Sequence, residues 1–129
     1  MGINNVIICG LGALGLTYAS KLKDKCNLKI LADINRVEKY KKNTPILNGK
    51  EVFLEYISPN DSFDTDLIII STKSTGLDSA VEYIKNFANK KTIIISLING
   101  ISSENKILLK YPQAKVLKQK YPNPLQYNP

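Results

Sequence analysis

Apolar positions along this chain follow two rhythms. Residues 5–9 (NVIIC), 66–71 (DLIIIS) and 92–97 (TIIISL) are short runs with almost no polar interruption. Such runs suit parallel strands buried on both faces. Residues 28–32 (LKILA) read as a further strand and residues 114–117 (AKVL) as a last one. Between them the spacing becomes helical. Leu14, Tyr18 and Leu22 form one face of a helix over 13–25, and Val37 and Tyr40 are the inward pair of a short helix over 34–42. Leu77, Val81 and Ile84, with Phe87 or Ala88, line a helix over 76–88. A last helix runs from Ser102 or Ser103 to Lys110, with Ile107 and the leucines inward. Asn48-Gly49 sits between two β-rich pieces within 45–59. Both residues tolerate positive φ, so they predict a tight hairpin and an antiparallel excursion.

Strands alternating with helices imply an α/β fold: a parallel sheet with helices on both faces. Right-handed crossovers put the C-terminal ends of the strands along one edge, where ligands bind. The chemistry should therefore follow the strands. Residues 10–15 (GLGALG) do so directly, with Gly10, Gly12 and Gly15 as a G-x-G-x-x-G turn between a strand and a helix. The first glycine permits the turn, the second lets a diphosphate reach the backbone, and the third lets helix and strand pack closely. The N-terminus of the helix would offer free N–H groups to the anion. In this setting the motif predicts a Rossmann-type dinucleotide site made by Gly10, Leu11, Gly12, Ala13, Leu14 and Gly15. Two other readings are a glycine turn in an unrelated α/β domain and the similar loop of a methyltransferase.

Three further strand ends carry candidates. Asp33 follows the second strand and could accept hydrogen bonds from ribose hydroxyls, or cap the next helix. Arg36 could instead pair with a 2′-phosphate, or be an exposed helical charge. Lys73, in the segment STKS, could hold an oxyanion or carbonyl by charge, or be a solvated loop lysine. Asn99, before Gly100, could orient a carboxamide or hydroxyl, or simply make a turn.

Composition narrows the classes. A chain of 129 residues with 43% hydrophobic content suits one domain with a real core. No apolar stretch approaches a membrane span, and the N-terminus does not read as a signal peptide. Cys9 and Cys26 are too few for a disulfide framework, which favours reduced thiols and a cytoplasmic protein. With no histidine and no paired cysteine motif, no metal site is expected. The net charge of +7 is spread over scattered lysines without interleaved aromatics, so nucleic acid is not the expected partner. Residues 119–129 are proline-rich and aperiodic, and read as an extended or disordered tail after a dinucleotide-binding domain over 1–118.

Taken together, CGLGALG, TKS after a buried strand and LINGISSE resemble the N-terminal domain of the ketopantoate reductases (2-dehydropantoate 2-reductases), from about Ile3 to about Leu117. ADINRVEKYKKN…LNGKE is similar to the family's adenosine-side segment. The resemblance implies NADPH-dependent reduction of 2-dehydropantoate to pantoate in pantothenate biosynthesis, with NAD(H) as the alternative cofactor and a small 2-keto acid as substrate. It also implies that residues 10–15 hold the diphosphate, that Arg36 faces the 2′-phosphate, and that Lys73 and Asn99 contact the nicotinamide half and the substrate. The family's second, helical domain supplies a proton-donating lysine and a substrate-binding glutamate. Neither has a counterpart here, which implies a fragment that binds cofactor with little turnover alone. The competing reading is a non-catalytic nucleotide-binding or protein-interaction module, with a protein partner on the exposed inter-domain face.

Overall fold

The structure, a computed structural model, describes residues 3–72, 76–97, 101–112 and 115–117. Six strands form one parallel sheet: β1 (Asn5–Cys9), β2 (Asn27–Leu31), β5 (Glu55–Ile57), β6 (Leu67–Ile70), β7 (Ile93–Ser96) and β8 (Lys115–Leu117). Their spatial order is β5-β2-β1-β6-β7-β8. The chain therefore winds outward from β1 in one direction, returns across it, and winds outward in the other. That order is the doubly wound, Rossmann-type topology, with its switch point at β1.

Four helices cover the sheet: α1 (Ala13–Leu22), α2 (Ile34–Lys42), α3 (Leu77–Tyr83), continued by a 3-10 turn over Ile84–Asn86, and α4 (Ile101–Lys110). Strand periodicity divides the core between the two faces. Ile7, Cys9, Ile68, Ile70 and Ile94 pack with Leu77, Ala80, Ile84, Phe87 and Ile107, under α3 and α4. Val6, Ile8, Leu28, Ile30 and Ile69 pack with Ala19 of α1. Tyr40 of α2 stacks on Tyr56 of β5 with ring centroids 5.5 Å apart. Lys106 and Lys110 of α4 pair with Asp78 and Glu82 of α3. These pairs are exposed and fix helix register more than they stabilise.

The expected antiparallel hairpin is present with a further strand after it, and two other expectations are corrected. The excursion within 45–59 divides: β3 (Ile46–Leu47) and β4 (Lys50–Glu51) make the hairpin, with Asn48 at φ 53° and Gly49 at φ 77°. The segment after it turns back into the main sheet as the parallel edge strand β5, paired to β2. In α4, Ile107 is fully buried but Leu108 and Leu109 are 39% and 85% exposed, because a helix that lies on a sheet buries one stripe, not three consecutive positions. In α1, Leu14 and Tyr18 are also exposed, and the sheet is met by Gly15 and Ala19 instead. Small residues win that contact because they let the helix axis come close to β1. The tail expected over 119–129 lies outside the described residues.

One polar staple holds the N-terminal edge of the sheet. The Asp66 carboxylate accepts the backbone N–H groups of Asn5 and Asn4 at 3.0 and 3.1 Å and lies 3.4 Å from Lys91 Nζ. The Asn5 and Asn4 amides, with help from Lys91, hold its carboxyl below the usual carboxylate range. A depressed folded-state value contributes stability that is complete above the usual carboxylate range and is lost as pH falls through the depressed value. Urea unfolding followed from neutral pH down to about pH 3 should therefore show a loss of stability that Asp66→Asn makes shallower. An unchanged acid limb in that variant would remove Asp66 from the account.

Candidate functional site

The switch point gathers the ends of β1, β2 and β6. Gly10 follows β1 at φ +96°, a conformation that glycine takes without strain. Its N–H donates to the Leu31 carbonyl at 3.3 Å and its own carbonyl accepts the Ser71 hydroxyl at 2.6 Å. The loop is thus tied to β2 on one side and to the end of β6 on the other. A Cβ on Gly10 would stand 2.7 Å from Thr72 Cγ2. On Gly15 it would stand 2.3 Å from Ser71 Oγ and 2.7 Å from the Gly10 carbonyl oxygen. The first and third glycines are therefore required by the packing of this loop.

Gly12 differs. It is exposed, it N-caps α1 in an extended conformation (φ −72°, ψ −179°), and a Cβ there would meet only the Ser71 carbonyl oxygen, at 3.4 Å. Nothing internal demands a glycine at that position, so its lack of a side chain leaves open space in front of the helix. The first turn of α1 carries no acid and no side-chain cap. First-turn amides lack intrahelical acceptors and carry the positive end of the helix dipole. A dinucleotide's diphosphate fits this loop: the surface is open, unblocked by Cβ, and faced by N–H donors without a competing carboxylate. Leu11 packs partly into the core under α1, while Leu14 is 43% exposed on its first turn.

Asp33 stands two residues past the end of β2 and N-caps α2, with its Oδ1 accepting the Arg36 backbone N–H at 2.9 Å. The Arg36 Nε lies 3.6 Å from Asp33 Oδ2, and the arginine side chain is 68% exposed. The two candidates that the sequence sets against each other are thus an ion pair on one helical turn. The carboxylate spends one oxygen on the helix, and the guanidinium is held at the same edge as the glycine loop.

Lys73 and Asn99 lie outside the described residues. The strands they follow, β6 and β7, are adjacent, parallel and in register from Leu67↔Ile93 to Ile70↔Ser96. Sequence reasoning missed Ser71 and Thr72, between β6 and Lys73. Ser71 anchors the loop, and the Thr72 hydroxyl is buried with no hydrogen-bond partner among the described residues. The available signal was two hydroxyl side chains directly after a buried strand, on the ligand edge.

Other depressions lie away from this edge. One of about 850 Å³ is bordered by Asn5, Asp24, Asn27, Asp64, Asp66 and Lys91, at the opposite end of the strands. Several of its polar groups already bond one another. Among the described residues no group of histidine, cysteine and carboxylate side chains could hold a metal ion.

Comparison with known proteins gives the geometry a lineage. The family model described as Ketopantoate reductase PanE/ApbA matches residues 6–120. The 2-dehydropantoate 2-reductase of Streptococcus pyogenes is 29% identical over 118 residues, which is 87% of this chain and 38% of that protein. A solved Enterococcus faecalis structure assigned to 2-dehydropantoate 2-reductase is 27% identical and superposes with a TM-score of 0.71, covering 88% of this chain and 40% of that one. D-mandelate dehydrogenase, solved with NADH and anilino(oxo)acetate, shares the fold at a TM-score of 0.77 and 24% identity, with 90% and 40% covered. The chain therefore spans about two fifths of the length of these relatives.

Proposed function

This chain belongs to the ketopantoate reductase family, and from that premise we propose that it holds a nicotinamide dinucleotide for the NADPH-dependent reduction of 2-dehydropantoate to pantoate, acting in the cytoplasm in pantothenate biosynthesis. The observation that carries the reading is the exposed Gly12 at the uncapped start of α1, flanked by two glycines whose Cβ positions are filled by neighbours. The chain supplies the cofactor-binding portion, residues 1–118. A keto acid reductase also needs a proton donor and closure from water at the reacting carbonyl. Those parts would come from the length that the relatives have and this chain does not span.

Bound at the loop, the cofactor would supply hydride to the carbonyl of a small 2-keto acid. The chain's residues would do the rest of the binding. Residues 10–15 would take the diphosphate on backbone N–H groups. Arg36 would leave Asp33 for a 2′-phosphate, a bidentate exchange that a guanidinium makes readily. Asp33, freed from Arg36, would favour a ribose without that phosphate, so NAD(H) is the alternative cofactor. Lys73 and Asn99 would face the nicotinamide half and the keto acid, the lysine opposing charge that builds on oxygen.

Titration of the purified chain into NADPH, followed by cofactor fluorescence, should give saturable binding, with NADH as the comparison. Turnover of 2-dehydropantoate by the chain alone should stay near background. Absence of saturation at about millimolar cofactor, where binding free energy falls to about −4 kcal/mol, would remove the nucleotide reading.

A further inference from the structure

One hydroxyl sits where the glycine loop could not accept a methyl. Ser71 Oγ stands in the space that a Cβ on Gly15 would need, and it donates to the Gly10 carbonyl at 2.6 Å. Ser71 is itself fixed. It follows β6 directly, and its N–H donates to the Cys9 carbonyl at 2.9 Å, which carries the pairing of β1 with β6 one residue further. The hydroxyl therefore reaches the loop from the sheet, a rigid support that is not part of the loop.

That bond decides which way one peptide faces. The 10–11 peptide is trans, so its N–H points opposite to its carbonyl. With the Gly10 carbonyl drawn to Ser71, the Leu11 N–H points away from Ser71, and no described residue accepts it. The Gly12 N–H also has no acceptor among the described residues. Gly10 cannot hold this orientation by itself. A flip of the peptide rotates Gly10 ψ and Leu11 φ, and glycine resists such a rotation least of all residues. The flipped peptide would offer a carbonyl oxygen where a diphosphate needs an N–H. A charge-assisted hydrogen bond would be exchanged for repulsion.

We propose that Ser71 is a positioning residue for the cofactor: its hydroxyl locks the Gly10–Leu11 peptide with the carbonyl turned in and the N–H turned out to the diphosphate. The inference rests on the reading of residues 10–15 as the diphosphate site, and adds to it a residue 61 positions from Gly10 in the chain. Gly15 then belongs to the same device, since its missing side chain leaves the room that the Ser71 hydroxyl occupies.

Ser71→Ala in the full chain tests this. The variant should fold, with a melting temperature about 5 °C lower. It should bind NADPH about tenfold or more weakly. Thr92→Val is the control for general loosening. The Thr92 hydroxyl is buried at the opposite end of the sheet, where it donates to the Thr65 carbonyl at 2.8 Å and accepts the Asn89 N–H at 3.0 Å. Its loss should lower the melting temperature at least as much, yet leave NADPH affinity within about twofold of the parent's. A spectroscopic reading separates orientation from stability. At matched saturation with NADPH, the Leu11 amide proton should move downfield in the parent and stay near its free position in Ser71→Ala. Ser71→Cys keeps a side chain of similar shape but gives up the strong donor, and it carries the same expectations if the alanine variant does not fold. Parent-like affinity in a folded Ser71 variant overturns the proposal. So does an equal loss in Thr92→Val, a Leu11 signal that moves alike in parent and variant, or failure of both Ser71 variants to fold. If NADPH does not saturate the parent, the cofactor reading falls and takes this role with it. If it saturates parent and Ser71 variants with equal affinity, the role falls and the cofactor reading stands.

Discussion

Gly15→Ala is expected to destabilise the fold by about 1–3 kcal/mol and to weaken nicotinamide-cofactor binding by more than about tenfold. In an exposed helix the same change would gain about 1 kcal/mol, since alanine is the better helix former. Here the strain outweighs that gain. The new methyl would stand 2.3 Å from Ser71 Oγ and 2.7 Å from the Gly10 carbonyl oxygen. The hydroxyl can rotate away, but in doing so it breaks the 2.6 Å bond that holds Gly10. The carbonyl is backbone and moves only with the loop. The relief available is for α1 to lift from β1, which carries its first-turn amides away from the anion position. Gly12→Ala is the contrasting variant. Its methyl meets one atom at 3.4 Å and its φ of −72° suits any residue, so stability should hold within about 1 kcal/mol while cofactor affinity falls. Thermal melts and NADPH titrations of the two variants separate packing from ligand approach. Parent-like behaviour of Gly15→Ala in both measurements would mean that the loop is looser than its geometry.

The other large effect lies in the core. Phe87→Ala should cost about 3–5 kcal/mol, against a total of about 5–15 kcal/mol for an ordinary domain. Phe87 is 2% exposed and sits where the 3-10 turn after α3 delivers the chain toward β7, in contact with the cluster that includes Ile68, Ile84 and Ile94. Its N–H donates to the Ile84 carbonyl at 2.9 Å, so the backbone keeps the turn and a cavity remains in place of the ring. The urea midpoint should fall with little change in the slope of the transition. Leu109→Ala, at 85% exposed, should change the unfolding free energy by no more than about 0.5 kcal/mol. The two positions look equally apolar in the sequence, and only the fold distinguishes them.

That pair shows what the sequence could and could not reveal. The buried strands were legible because a parallel strand covered on both faces needs an unbroken apolar run, and β1 and β6 have one; β7 has the same run, with Ile93 and Ile95 only partly buried. The Asn48-Gly49 turn was legible because its left-handed backbone selects residue type directly. β5 was not, since a three-residue edge strand with Glu55 exposed has no run to detect. The contact face of α1 was misread for a different reason: closeness to the sheet selects Gly15 and Ala19, and a count of large apolar residues passes over both. In the site, the glycine loop was readable from spacing. Ser71, which anchors it, was not, because its role depends on β6 lying beside β1, and nothing local states that adjacency. The Asp33 side chain could be read as a cap or as a ribose acceptor. The structure gives it the cap and adds Arg36 as its partner.

The thiol one residue ahead of the glycine loop has a practical corollary. Burial pushes the Cys9 thiol pKa up to about 12, so very little of it is the reactive anion at neutral pH. Air, peroxide and alkylating agents should therefore bypass the root of the loop and spend themselves on Cys26. A preparation left without reductant would change at the rim of the sheet long before its central strand was touched.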